Sequence, residues 1–181
     1  MMSAVLAATL AIALPDNFNP DLNMRFKVRS GQELHASRDA AGHAKRLVEN
    51  GTPEDITLAV KVLDAVFSCQ ELGEEDPNRG NYRWYYEDDG VTDQNAAAFC
   101  LSSLIPMMIQ NGDRLPAATR AAARESIRHA LGAVAALDVT LLYTNITVKD
   151  FVNTILGGQL LEDAAFLERG HKKFIAWMQL T

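Results

Sequence analysis

From residue 34 onward, apolar residues recur every three or four positions, the period of a helix with one buried face, in six successive stretches. The first predicted helix covers residues 35–49 and stops at Asn50-Gly51, a favourable C-terminal cap. The second opens on Thr52-Pro53-Glu54-Asp55: a capping hydroxyl, a proline at the first helical position, then acids at the positive end of the dipole. Its stripe is Ile56, Ala59, Val60, Leu63, Val66 and Phe67. A third helix starts near Asp93 and continues through Met108, with Pro106 predicted to kink or shorten it. The fourth covers 116–137, the fifth 145–160 and the sixth 163–178. Gly157-Gly158 in the fifth either ends it early or permits close packing. No stretch reads as a sheet.

The third and fifth helices are apolar almost all round, whereas the fourth and sixth interleave charge with apolar residues. This alternation predicts an inner row of helices shielded by an outer one. Polar and aromatic residues gather ahead of alternate helices, in Leu34-His35-Ala36-Ser37-Arg38-Asp39, in 84–95 and in Tyr143-Thr144-Asn145-Ile146. Ser37, Asp93 and Asn145 are the cap candidates, and their spacing of about 50–55 residues is that of a helical hairpin repeat. A hairpin repeat in this register puts all three groups at one end of the bundle, where long loops carry function and short turns only connect.

Composition narrows the function. The chain of 181 residues is 48% hydrophobic and 22% charged, enough for a sizeable core. A net charge of −6 with scattered Lys and Arg leaves no electrostatic footprint for nucleic acid. Cys69 and Cys100 lie in apolar helical surroundings and read as small buried hydrophobes rather than a disulfide. Neither Cys nor His is spaced for zinc, and His43, His129 and His171 read as helix-surface residues. No cofactor is implied. At the N-terminus the apolar run 5–14 has the length of a signal-peptide core but lacks preceding basic residues, so an ordinary helix fits equally. It is too short for a stable bilayer span, and export is one reading of it. Residues 1–31 therefore form an apolar segment with an extended lead-in, and 32–181 the helical domain.

The runs 34–39, Asn81-Tyr82-Arg83-Trp84-Tyr85-Tyr86-Glu87-Asp88, Val91-Thr92-Asp93-Gln94-Asn95-Ala96 and Tyr143-Thr144-Asn145-Ile146 resemble those of bacterial α/α-toroid proteins. That group includes heparinase II/III-like and other polysaccharide lyases and six-hairpin glycosidases. The resemblance covers 34–181. It implies an all-α fold of helical hairpins forming about half of an α/α toroid, an incomplete six-hairpin barrel, and hence an N-terminal fragment. It also implies a polysaccharide or oligosaccharide partner at the mouth of the ring. Uncovered inner helices in such a fragment would drive self-association.

A sugar site needs aromatic faces for the pyranose ring and polar groups for its hydroxyls. Trp84, Tyr85 and Tyr86, with Tyr82, supply the first; Glu87, Asp88, Asp89, Asp93 and Asn95 supply the second. Each has a plainer reading beside it, with Trp84 anchoring its loop, Asp93 capping a helix and the acids forming a solvated surface. Hydrolysis would need a pair of carboxylates flanking the bond. Eliminative cleavage of a uronic-acid polymer needs a base and a group that stabilises the resulting anion. Tyr143 and Asn145 have those types, with His35 and Arg38 in support. The alternative is a non-catalytic scaffold that binds a glycan or a protein.

Overall fold

A computed structural model describes residues 9–180. Its helices are α1 (Ser37–Asn50), α2 (Pro53–Ser68), α3 (Ala96–Asn111), α4 (Ala117–Leu137), α5 (Thr144–Leu161) and α6 (Ala164–Met178), so the protein is mainly helical. Short turns fold them into the consecutive pairs α1–α2, α3–α4 and α5–α6. α3 stands between α1 and α5 and also packs on α4. Its residues Ala97, Cys100, Leu101, Leu104, Ile105 and Met107 are wholly buried. Each large apolar side chain among them contributes about 1.5–3 kcal/mol relative to exposure.

α3 runs on through Pro106 to Asn111. Packing on three sides outweighs the hydrogen bond that the proline removes. α5 likewise continues past Gly157-Gly158 to Leu161. A Cβ at Gly157 would press on Leu131 and Ile105, and one at Gly158 on the backbone of Leu167, so these glycines serve close approach of α3, α4 and α6. His43, read from sequence as a surface residue, is buried. It follows Ala40 and precedes Leu47 on the core face of α1, and Phe18 packs edge-on against its ring at 5.7 Å.

The lead-in is folded into two hairpins. Strands β1 (Phe18–Asn19) and β2 (Met24–Arg25) pair antiparallel, as do β3 (Lys27–Arg29) and β4 (Gln32–Leu34) around Ser30-Gly31, both at positive φ. Such short ladders carry no usable alternation in sequence, although Ser-Gly is a two-residue turn signal. Of the apolar run 5–14, residues 5–8 lie outside the described residues. Residues 9–14 form neither helix nor strand and are exposed, tied to the α1–α2 turn by Asn50 donating to the Leu10 carbonyl (2.8 Å) and Ile12 N–H donating to Asp55 (2.9 Å).

The caps divide the helices into two kinds. α2 and α6 carry their own, Thr52 and Asp163. None of the three candidates Ser37, Asp93 and Asn145 stands at a cap position: Ala36, Asn95 and Tyr143 occupy those, without side-chain caps. Instead the segment between α2 and α3 serves two helices at once. The Trp84 carbonyl accepts the Ser37 N–H of α1 at 3.0 Å, and Asn81 Oδ1 accepts the Ala97 N–H of α3 at 2.8 Å. Orphan amides at a helix start need such partners wherever they come from.

Candidate functional site

Two of the three polar groups are locked together. Ala36 and Tyr85 form a β-bridge, Tyr86 N–H donates to the His35 carbonyl at 2.9 Å, and Ser37 Oγ donates to the Arg83 carbonyl at 2.8 Å. His35 is buried between them, with Nδ1 2.5 Å from Glu87 Oε1 and its backbone N–H 3.0 Å from Oε2. Burial alone would push the Glu87 carboxyl up, but the hydrogen bonds from His35 outweigh it and hold the group below the usual carboxylate range. His35 Nε2 is buried without a hydrogen-bond partner, and the Phe26 ring lies 5.9 Å from the imidazole.

Arg38, the second residue of α1, lays its guanidinium over Trp84 (4.9 Å to the ring centroid) and near Phe99 (5.8 Å). Trp84 meets Phe99 edge-on at 5.4 Å, and Lys149 of α5 covers Phe99 at 4.8 Å. The result is a cation–aromatic stack running across α1, the Trp84 segment, α3 and α5. Arg83 organises the segment from below, donating to the carbonyls of Ser68, Tyr86 and Asp88 while its guanidinium covers Tyr86 at 5.6 Å. Beside Arg38 opens a pocket of about 460 Å³ lined by Asn17, Arg25, Phe26, Lys27, Arg38, Asp39, Gly42 and Arg46.

The remaining candidates have local partners or none. Asp88 Oδ2 accepts from Tyr85 N–H (3.0 Å) and Thr92 Oγ1 (3.2 Å). Asp93 Oδ1 accepts from the backbone and side-chain N–H of Asn95 (2.8 and 3.0 Å), whose own Oδ1 is buried and unpartnered. Tyr143 and Asn145 are exposed at the start of α5, and neither side chain makes a hydrogen bond among the described residues. Tyr82, from the same aromatic run, lies in the core: its hydroxyl donates to Ser126 Oγ (2.7 Å), which donates to Gln70 Oε1 (2.7 Å).

A second charged cluster escaped the sequence reading. Asp150, wholly enclosed on α5, receives Arg169 (2.5 Å) and Lys173 (2.6 Å) from α6; both also reach Asp138 beyond the end of α4 (2.9 and 2.8 Å). A cavity of about 830 Å³ lies alongside, lined in part by Asp138, Thr140, Glu168, Arg169, Lys172 and Lys173. The available signal was an aspartate inside an apolar helix, which demands partners, and Arg169 and Lys173 one turn apart. Likewise, Arg38 and Arg46 lie two turns apart on one face of α1 with Gly42 between them.

Among the described residues, no group of three or more His, Cys, Asp or Glu could hold a metal ion, and no helix is long and apolar enough to cross a membrane. The class defined so far is an all-α array of helical hairpins bearing a polar and aromatic surface at one end. No family model, curated protein or solved structure matches the chain.

Proposed function

We propose that this domain is a saccharide-binding module, part of an α/α toroid, that holds a polysaccharide chain across the end where α1, α3 and α5 begin. The observation that supports this reading most is the locking of two motifs some 50 residues apart into one surface. His35, Ser37 and Arg38 are fixed against Arg83, Trp84, Tyr86 and Glu87 by backbone pairing, buried hydrogen bonds and cation–aromatic contacts. A surface held this firmly loses little freedom on binding, the condition under which weak sugar contacts add up to affinity.

Binding is favoured over turnover by the same geometry. An eliminative lyase needs its base and anion-stabilising group held close to one another and to the substrate. Tyr143 and Asn145 are exposed, with no hydrogen bond among the described residues to orient either side chain. Of the two His–carboxylate pairs among the described residues, His35–Glu87 has its free ring nitrogen buried, and His129–Glu125 is a contact between successive turns of α4.

Titration calorimetry with a panel of soluble neutral and acidic oligosaccharides tests the reading. Saturable binding that falls at least tenfold in Trp84→Ala supports it. Absence of binding across the panel overturns it. Release of unsaturated uronide, followed by ultraviolet absorbance and abolished in Tyr143→Phe, would replace it with the lyase reading.

A further inference from the structure

The protein is acidic overall, with 23 Asp and Glu against 17 Lys and Arg, yet four basic residues line the 460 Å³ pocket beside α1 against a single acid. Arg38 and Arg46 come from one face of α1, and Arg25 and Lys27 from the β-hairpins opposite. Asp39 is already engaged, 2.6 Å from Lys27 Nζ and 3.3 Å from Arg38 Nε. The latter approach lacks hydrogen-bond geometry, so Arg38 Nε is buried and unpartnered. Arg46 makes no hydrogen bond or ion pair among the described residues, and Arg25 has only Asn17 Oδ1, at 3.3 Å. Asn17 is held in turn by donating to the Phe26 carbonyl at 2.6 Å.

Two guanidiniums without a carboxylate among the described residues, a third beside Asp39 and an ammonium line one space. Like charges gathered this way repel each other, and a bound anion relieves the repulsion. Arg46 and Arg25 also both act on His43, which burial and these two charges push down to about 4. Gly42, between Arg38 and Arg46, leaves the floor without a side chain; a Cβ there meets only Ser103 Oγ, at 3.8 Å.

We infer that this pocket is a binding site for a small organic phosphate, with Arg25, Arg38 and Arg46 holding the phosphoryl oxygens. Guanidinium forks match a tetrahedral dianion, and three cations in excess of the lone carboxylate suit two negative charges better than one. The volume lies in the range of ligand pockets and exceeds what a bare phosphate fills. Phe26, the apolar residue of the lining, is left for the organic part. This site shares Arg38 with the saccharide surface, but Arg25 and Arg46 lie outside that surface, so the two can be tested apart.

The test is calorimetric titration of the whole chain with ribose 5-phosphate, inorganic phosphate, ribose and glucuronate, at fixed ionic strength. Ribose 5-phosphate is expected to bind saturably and at least threefold tighter than inorganic phosphate, with ribose silent. Arg46→Ala, a change at an exposed side chain, should weaken it at least tenfold. Gly42→Leu, which fills the floor and leaves every charge in place, should do the same with an unchanged circular-dichroism spectrum. Binding that survives both changes overturns the site. Inorganic phosphate binding as tightly as the ester overturns the organic ligand, and glucuronate binding as tightly overturns the preference for a dianion. Loss of saccharide binding in Trp84→Ala with ribose 5-phosphate affinity intact would show the two sites to be separate.

Discussion

Asn81 caps α3 from sixteen residues upstream of the amide it serves: its Oδ1 accepts the Ala97 N–H at 2.8 Å and the Tyr82 N–H at 2.9 Å. Its Nδ2 donates to the Gln94 carbonyl at 2.8 Å, so one buried side chain uses three of its four hydrogen-bonding positions to fasten a loop to a helix. Asn81→Ala is expected to destabilise the fold by about 2 kcal/mol, as loss of a cap and two further buried hydrogen bonds requires. Chemical denaturation measures this. Asn81→Asp should recover part of the loss, since the acceptor role survives.

Gly80, next to it, has φ +89°, and a Cβ there would overlap the His129 carbonyl oxygen. The turn cannot back away, because Gly80 N–H donates to Glu71 O at 2.6 Å and its carbonyl accepts from Gln70 Nε2 at 2.8 Å. Gly80→Ala should therefore cost about 2–3 kcal/mol, read as a lowered denaturation midpoint.

The Asp150 cluster predicts a strong asymmetry. Asp150→Asn leaves Arg169 and the buried Lys173 with only the exposed Asp138, and should cost about 3 kcal/mol. Asp138→Asn removes a carboxylate that is mostly in water, so its effect should stay below about 1 kcal/mol. Paired thermal melts compare the two.

His43 gives a pH dependence. Burial and the nearby Arg46 and Arg25 lower its pKa from 6.5 to about 4, so on acidification the unfolded chain takes up this proton before the native one. The contribution is fully present above pH 6.5 and is lost as pH falls towards about 4, amounting to up to about 3 kcal/mol. Denaturation midpoints measured across that window should decline in the parent and flatten in His43→Leu. Below the window, the depressed carboxyls of Asp55 and Glu87 add their own loss in both proteins.

Burial pushes the Cys69 thiol up to about 11 and the Cys100 thiol to about 12, and both are free. Neither should react with a thiol reagent in the native state, because the thiolate is scarce and enclosed. Modification should follow opening of the fold, with two thiols titrating per chain in denaturant.

The helices were legible because each has a face of apolar residues at helical spacing, and burial of those faces is what holds them. The pairing of the 34–39 and 81–88 runs was legible only as a shared end, without the contacts that make it. The caps of α2 by Thr52 and of α1 by Gly51 were read correctly, but Ser37 and Asp93 were misread for a physical reason: the amides of α1 and α3 find their partners on another segment, and no local pattern records that. His43 was a matter of face, since its spacing from Ala40 and Leu47 places it inward. The basic pocket draws on three segments whose charges are unremarkable until the β-hairpins fold back over α1.

The chain has two tryptophans, and they report on different parts of it. Trp84 lies under Arg38 where the first and second hairpins meet; Trp177 lies against Phe151 (5.7 Å) within the third. Replacing either one by phenylalanine leaves a single fluorophore for one region. If the α5–α6 pair lets go before the rest, the Trp177 emission will shift at lower denaturant than that of Trp84. Coincident shifts would mean that the three hairpins melt as a single cooperative unit, and an optical titration would then decide how divisible this array is.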